Sequence, residues 1–174
     1  MAKKRIDLDI DKYQNMVKNY HEESDRAAAV LAGSFIEEFL RIFLRDQLRD
    51  DPVVDEMLEG YGPLATFSAR IDILYAMGNI DKAIRSDLNF IRKIRNHFAH
   101  HPEQTSFDES PIRDFCSNLS TAKIGIDQNG KQHVPPNDRR LHYLLAIGMI
   151  VGQIHNAMLK EKTKKLPNNN GIVE

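Results

Sequence analysis

The sequence predicts an all-α protein, a single helical bundle of about seven helices with one small hairpin or ordered loop near residues 121–134. Three observations carry that expectation. Apolar residues recur at the three-to-four spacing of helices in most segments, and only 9 of 174 residues are glycine. The third is punctuation: residues that cap helices stand just ahead of the periodic runs.

The elements follow in order. A short helix is expected from about Asp9 to Tyr20. Ser24 then reads as an N-cap, and Asp25 suits the positive end of the helix that follows. Ala28, Leu31, Ala32, Phe35, Ile36, Phe39, Ile42 and Phe43 fall on one side of it, and the run ends near Leu48. Asp51-Pro52 reads as a cap followed by proline at the first helical position. Gly60-Tyr61-Gly62-Pro63 closes that short helix with a turn.

A further helix spans Thr66 to Met77 and is closed by Gly78. Asp81 caps the next, whose apolar stripe is Ile84, Leu88, Ile91 and Phe98. Ser110-Pro111 opens a brief one. Between Thr121 and Val134 the pattern changes to alternation around Asn129-Gly130, a hairpin signal. Pro135-Pro136 ends it, and Asn137 or Asp138 caps a last helix to about Lys160. Residues 1–160 are read as one regulator domain and 161–174 as a disordered polar tail.

Bulk properties exclude several classes. The net charge is −1, with 24 basic against 25 acidic residues. A protein that holds DNA by bulk phosphate attraction carries a clear basic excess, so any nucleic-acid contact here must come from a local patch. One cysteine, Cys116, excludes an intrachain disulfide and suits a reducing cytoplasm. It reads as a small core residue. The longest apolar run, Tyr143 to Val151, is too short for the roughly 20 residues a bilayer needs. The basic start, Met1 to Arg5, has no apolar segment behind it and is not a signal peptide. A cytoplasmic protein without a membrane partner is expected.

The segment Ile91–His101 concentrates the chemistry. On a helical wheel Arg95 lands about 20° from Ile84, inside the apolar stripe. A guanidinium there keeps its charge and needs an acid, a carbonyl or an interface. Asp25 and Glu38 are the candidate partners in a buried ion pair. A second face of the same helix carries Arg85, Asn89, Arg92 and Asn96, residue types that contact phosphates and base edges. A solvated face is the commoner meaning of such a pattern. His97 and His101 have the spacing that sets two ligands on one helix face. Without a following glutamate or a nearby cysteine they read as surface histidines at a helix end, so no metal is expected, and no cofactor. No glycine loop cradles a phosphate: Gly60-Tyr61-Gly62 follows a helix, not a strand.

The last helix is apolar on nearly every side and must be enclosed. Gly148 and Gly152, one turn apart, permit close approach of another backbone. They mark either the central core helix or a homodimer interface.

Three stretches together resemble the mannitol operon repressor family of bacteria: Ser24–Leu31, Glu59–Asp72 and Ile91–His100. The likeness covers roughly residues 20 to 160. It implies an all-helical cytoplasmic regulator of mannitol uptake and use, a repressor of transcription and not an enzyme. With no dedicated DNA-binding element in the residues, action through a protein partner is the economical mechanism, with mannitol-operon DNA as the alternative target. The third stretch also resembles the HEPN superfamily motif, an arginine, a polar residue, a short spacer and a histidine, here Arg95, Asn96 and His100. That likeness implies a helical dimer and, in its ribonuclease members, RNA cleavage. Histidine would take the 2′-hydroxyl proton and arginine would steady the phosphate charge. On an unbroken helix, however, Arg95 and His100 lie about 140° apart.

Overall fold

The computed structural model describes residues 23–103, 106–120 and 138–164. It contains six helices among them: α1 (Asp25–Gln47), α2 (Pro52–Leu58), α3 (Phe67–Ala76), α4 (Lys82–His100), α5 (Ile112–Ser117) and α6 (Arg139–Lys164). No strand occurs among the described residues. The helix expected over Asp9–Tyr20 and the hairpin expected near 121–134 lie outside them. The last helix continues to Lys164, past the expected end near Lys160, so the first residues assigned to the tail are helical.

Local chemistry starts each helix. The side chains of Ser24, Asp51, Thr66 and Asp81 accept the amides of Ala27, Val53, Ala69 and Ile84. Each satisfies a donor that the first helical turn leaves without a partner. Glycine ends two of the connections. Gly60 (φ 57°) and Gly78 (φ 75°) adopt the left-handed backbone that follows a helix. Gly62 serves differently: a Cβ there would lie 2.2 Å from the Glu56 carbonyl oxygen.

Two helices form the centre. α1 packs against α2, α3, α4 and α6, while α4 packs against α1, α3, α5 and α6. Ile36, Leu40 and Leu44 of α1 and Leu88, Ile91, Ile94 and Phe98 of α4 are fully buried. Each such side chain contributes about 1.5–3 kcal/mol by leaving water. The buried arc of α1 is turned from the expected one. It includes Ala29, Leu40 and Leu44, whereas Leu31 is 46% exposed. α6 is enclosed along Tyr143, Leu144, Ile147, Ile150, Val151 and Ile154, and Leu145 stays exposed.

Candidate functional site

The second half of α4 crosses α1 at Gly33. A Cβ on Gly33 would meet Arg95 Cβ at 2.6 Å, Arg95 Cγ at 2.7 Å and the Tyr143 hydroxyl at 2.8 Å. The missing side chain is therefore what lets Arg95 pass over α1. Its guanidinium then reaches Glu37, one turn further along, in an ion pair. Phe67 of α3 lies beneath, its ring centroid 5.7 Å from Arg95 Cζ, a separation at which ring and cation attract. Arg95 Nε is buried without a hydrogen-bond partner.

Neither acid expected to hold Arg95 does so. Glu38 makes a two-point pair with Arg41, with N–O distances of 2.6 and 2.8 Å. That pair holds its carboxyl below the usual glutamate range, with the Arg41 hydrogen bond as the main cause. Asp25 accepts the Phe107 amide (3.1 Å) and pairs with Arg140 (3.1 Å). Glu37 lies on the side of α1 that α4 crosses; Glu38, a residue further, is rotated by about 100° toward solvent.

The other candidates disperse. Arg85 pairs with Asp72 of α3 at 2.6 Å and stacks on Tyr75, 4.9 Å from its centroid. Asn89 donates to the Arg85 carbonyl, and Arg92 donates to Asn89 Oδ1. Asn96 is half-buried. The face thus meets an acid that its own helix does not carry. α4 is unbroken to His100, which is exposed. Arg95 turns into the bundle and His100 out of it, so one chain does not bring the HEPN-like pair together. His97 and His101 stack with ring centroids 4.1 Å apart, and Glu103 Oε1 lies 3.1 Å from His101 Nδ1. No group of three or more metal-ligating side chains occurs among the described residues. Cys116 is buried, and burial pushes its thiol up to about 12, far from a reactive thiolate.

Three charged groups that the sequence did not single out organise the site. Arg70 of α3, 6% exposed, donates to the carbonyls of Leu58 (2.9 Å), Leu64 (3.0 Å) and Glu37 (3.3 Å). Burial pulls its pKa below the ordinary arginine value. Arg26 donates to the carbonyls of Phe98, His101 (2.7 Å) and Pro102 (2.7 Å). It satisfies the open end of α4 and neutralises that end's partial negative charge. Asp87, fully buried, accepts both the amide and the hydroxyl of Ser120 at 2.9 and 2.8 Å. The only sequence signal for these three was their position beside apolar runs.

Fold and site define an all-helical protein whose inward charges hold its own helices to one another. It belongs to the mannitol repressor family, whose model matches residues 9–161. The mannitol operon repressor of Escherichia coli strain K12 is 26% identical over 73 residues, 42% of this chain and 37% of that protein. The mannitol operon repressor of Escherichia coli O6:H1 aligns with the same identity and coverage. The chain thus spans little more than a third of the length of the curated relatives it matches. No solved structure matches it.

Proposed function

We propose that this protein is a repressor-type regulator of mannitol metabolism that acts through a protein partner and not by holding operator DNA itself. Its family and its resemblance to mannitol operon repressors support the regulatory role. The mechanism rests on one observation. The face of α4 that offered DNA contacts has its first cation bound to Asp72, while Asn89 donates to the Arg85 carbonyl and accepts from Arg92. A phosphate approaching this face must first compete with the Asp72 carboxylate of α3. A net charge of −1 adds no compensating field.

This reading makes the protein a non-enzymatic regulator in the cytoplasm. Among the described residues no helix is long and apolar enough to cross a membrane. It also makes the protein a homodimer through α6. Leu145 is 36% exposed, Gly148 is half-covered, and a methyl placed on Gly152 would meet nothing. Such a strip leaves room for a second helix.

The test is a mobility-shift titration with mannitol-operon DNA at several salt concentrations, run beside affinity capture from cells grown on mannitol. A protein captured in stoichiometric amount, with no salt-sensitive DNA shift at micromolar concentration, is the expected result. A tight shift that steepens as salt falls, weakened by R92A, overturns it. Sedimentation of the wild type and G152L tests the dimer.

A further inference from the structure

We propose that Tyr61 is the anchor by which this protein docks on its protein partner, its ring entering an apolar slot with a basic rim. The inference rests on the partner-mediated function proposed above and names the surface that serves it. Tyr61 stands at the tip of the turn between α2 and α3, with a relative exposure of 109%. Val53, the next most exposed large apolar residue among the described ones, reaches 52%. A scattered exposed valine or leucine is ordinary. A tyrosine that packs on nothing leaves a whole ring in water and adds nothing to the fold. Its neighbours in the turn have structural tasks. Gly60 supplies the left-handed backbone, φ 57°. Gly62 lets the chain pass the Glu56 and Met57 carbonyl oxygens, where a Cβ would lie at 2.2 and 2.4 Å. Leu64 donates its amide to the Met57 carbonyl at 2.8 Å.

The turn holds its shape without a partner. The Gly62 and Ala65 amides donate to the Glu59 and Gly62 carbonyls at 2.9 and 3.0 Å. The buried Arg70 guanidinium binds the Leu58 and Leu64 carbonyls, one on each side of the tip. With the backbone fixed beforehand, docking has only the torsions of one ring to order, which keeps its entropic cost low. Tyrosine is among the residue types that dominate interface energetics. Charge then selects the partner. From Asp50 to Ala69 the sequence has five acids, Asp50, Asp51, Asp55, Glu56 and Glu59, and no lysine or arginine. Glu56 and Glu59 flank the tip and are exposed. Glu59 meets Arg41 only at 3.4 Å and keeps 65% of its side chain in solvent. Such a surface repels phosphate, whether of nucleic acid or of an anionic membrane. It complements a protein slot rimmed by lysine or arginine.

The test places the photo-crosslinker p-benzoylphenylalanine at position 61 of the full chain, or at Ala83, exposed at the start of α4. Cells grown on mannitol are irradiated, and the protein joined to the chain is identified by mass and purified. Its affinity for the unmodified chain is then measured by calorimetry. Position 61 should join one protein of another sequence. Y61A should weaken that protein's binding by about 30-fold or more, the loss expected for a dominant anchor, and Y61F should weaken it less. E56K with E59K should weaken it as well, and more so at low salt. The urea midpoint of Y61A should match the wild type, because the ring packs on nothing. A lowered midpoint gives Tyr61 a folding role and overturns the proposal, as does a crosslink at 61 only to nucleic acid or to a second copy. A partner bound equally well by Y61A refutes the anchor and leaves the partner-mediated function standing. Absence of any stoichiometric partner, by crosslinking or by affinity capture, removes both.

Discussion

Gly33 of α1 and Arg95 of α4 occupy the same crossing point, and a Cβ on the first would lie 2.6 Å from the Cβ of the second. Glycine inside a helix ordinarily costs about 1 kcal/mol against alanine. Here the sign reverses, because the methyl would press on the stem of Arg95 and on the Tyr143 hydroxyl, both fixed by their own partners. Overpacking of this kind costs about 1–3 kcal/mol. Gly33→Ala should therefore lower the unfolding free energy by about 1 kcal/mol net, once the two effects are set against each other. Urea unfolding measures it, and a stabilised variant would refute the crossing.

Arg95 and Glu37 stabilise the crossing only as a pair. Their side chains are 20% and 24% exposed, so water screens part of any charge left alone. Breaking a fully buried pair costs about 3–5 kcal/mol. Glu37→Leu alone should cost about 1–3 kcal/mol here, since it strands a cation whose Nε is already unpaired. The double change Glu37→Leu with Arg95→Met should recover most of that loss, because apolar replacements of similar volume often match an internal ion pair. A double variant as unstable as the sum of the singles would show that the two residues act independently.

Arg70 makes a stricter test of a buried cation. Its three donors serve three carbonyls in three elements, those of Leu58, Leu64 and Glu37. Lysine keeps the charge but not the planar fork that reaches all three. Arg70→Lys should cost about 2 kcal/mol and Arg70→Met about 3 kcal/mol, because methionine takes the donor from the Leu58 and Leu64 carbonyls. Thermal unfolding ranks them. The idea fails if methionine proves the milder change.

Arg95 and Arg70 show which features were legible in the sequence. The caps at Ser24, Asp51 and Asp81 were readable because a cap depends on residues within one turn. The stripe Leu88, Ile91 and Phe98 was readable because period alone defines it. The partner of Arg95 was not. Asp25 lies about three turns from Glu37 along α1, and Glu37 and Glu38 differ only in how α1 is rotated beneath α4, a rotation set by Gly33, a residue with no side chain to signal it. Leu31 misled for the same reason, since the period gives the width of an apolar arc but not which of its edges is covered. Arg70 and Asp87 were not singled out by the sequence, and only the carbonyls, amide and hydroxyl that converge on them explain their burial.

Cys116 links burial to pH. Its thiol is pushed up to about 12 by desolvation, whereas an unfolded chain releases that proton near about 8.5. A group whose pKa is raised on folding stabilises the protein fully below the unfolded value, and the contribution is lost as pH rises toward the folded one. Between pH 8.5 and 10 the loss should amount to about 2 kcal/mol. Cys116→Ala has no proton to release, so its stability should fall less over that interval, although the variant starts lower because it leaves a small cavity. Urea unfolding at pH 8 and 10 separates the two effects. In the native wild type a thiol reagent at pH 8 should react only as fast as the chain opens. Rapid labelling of folded protein, or equal pH slopes for both chains, would place the thiol at the surface instead.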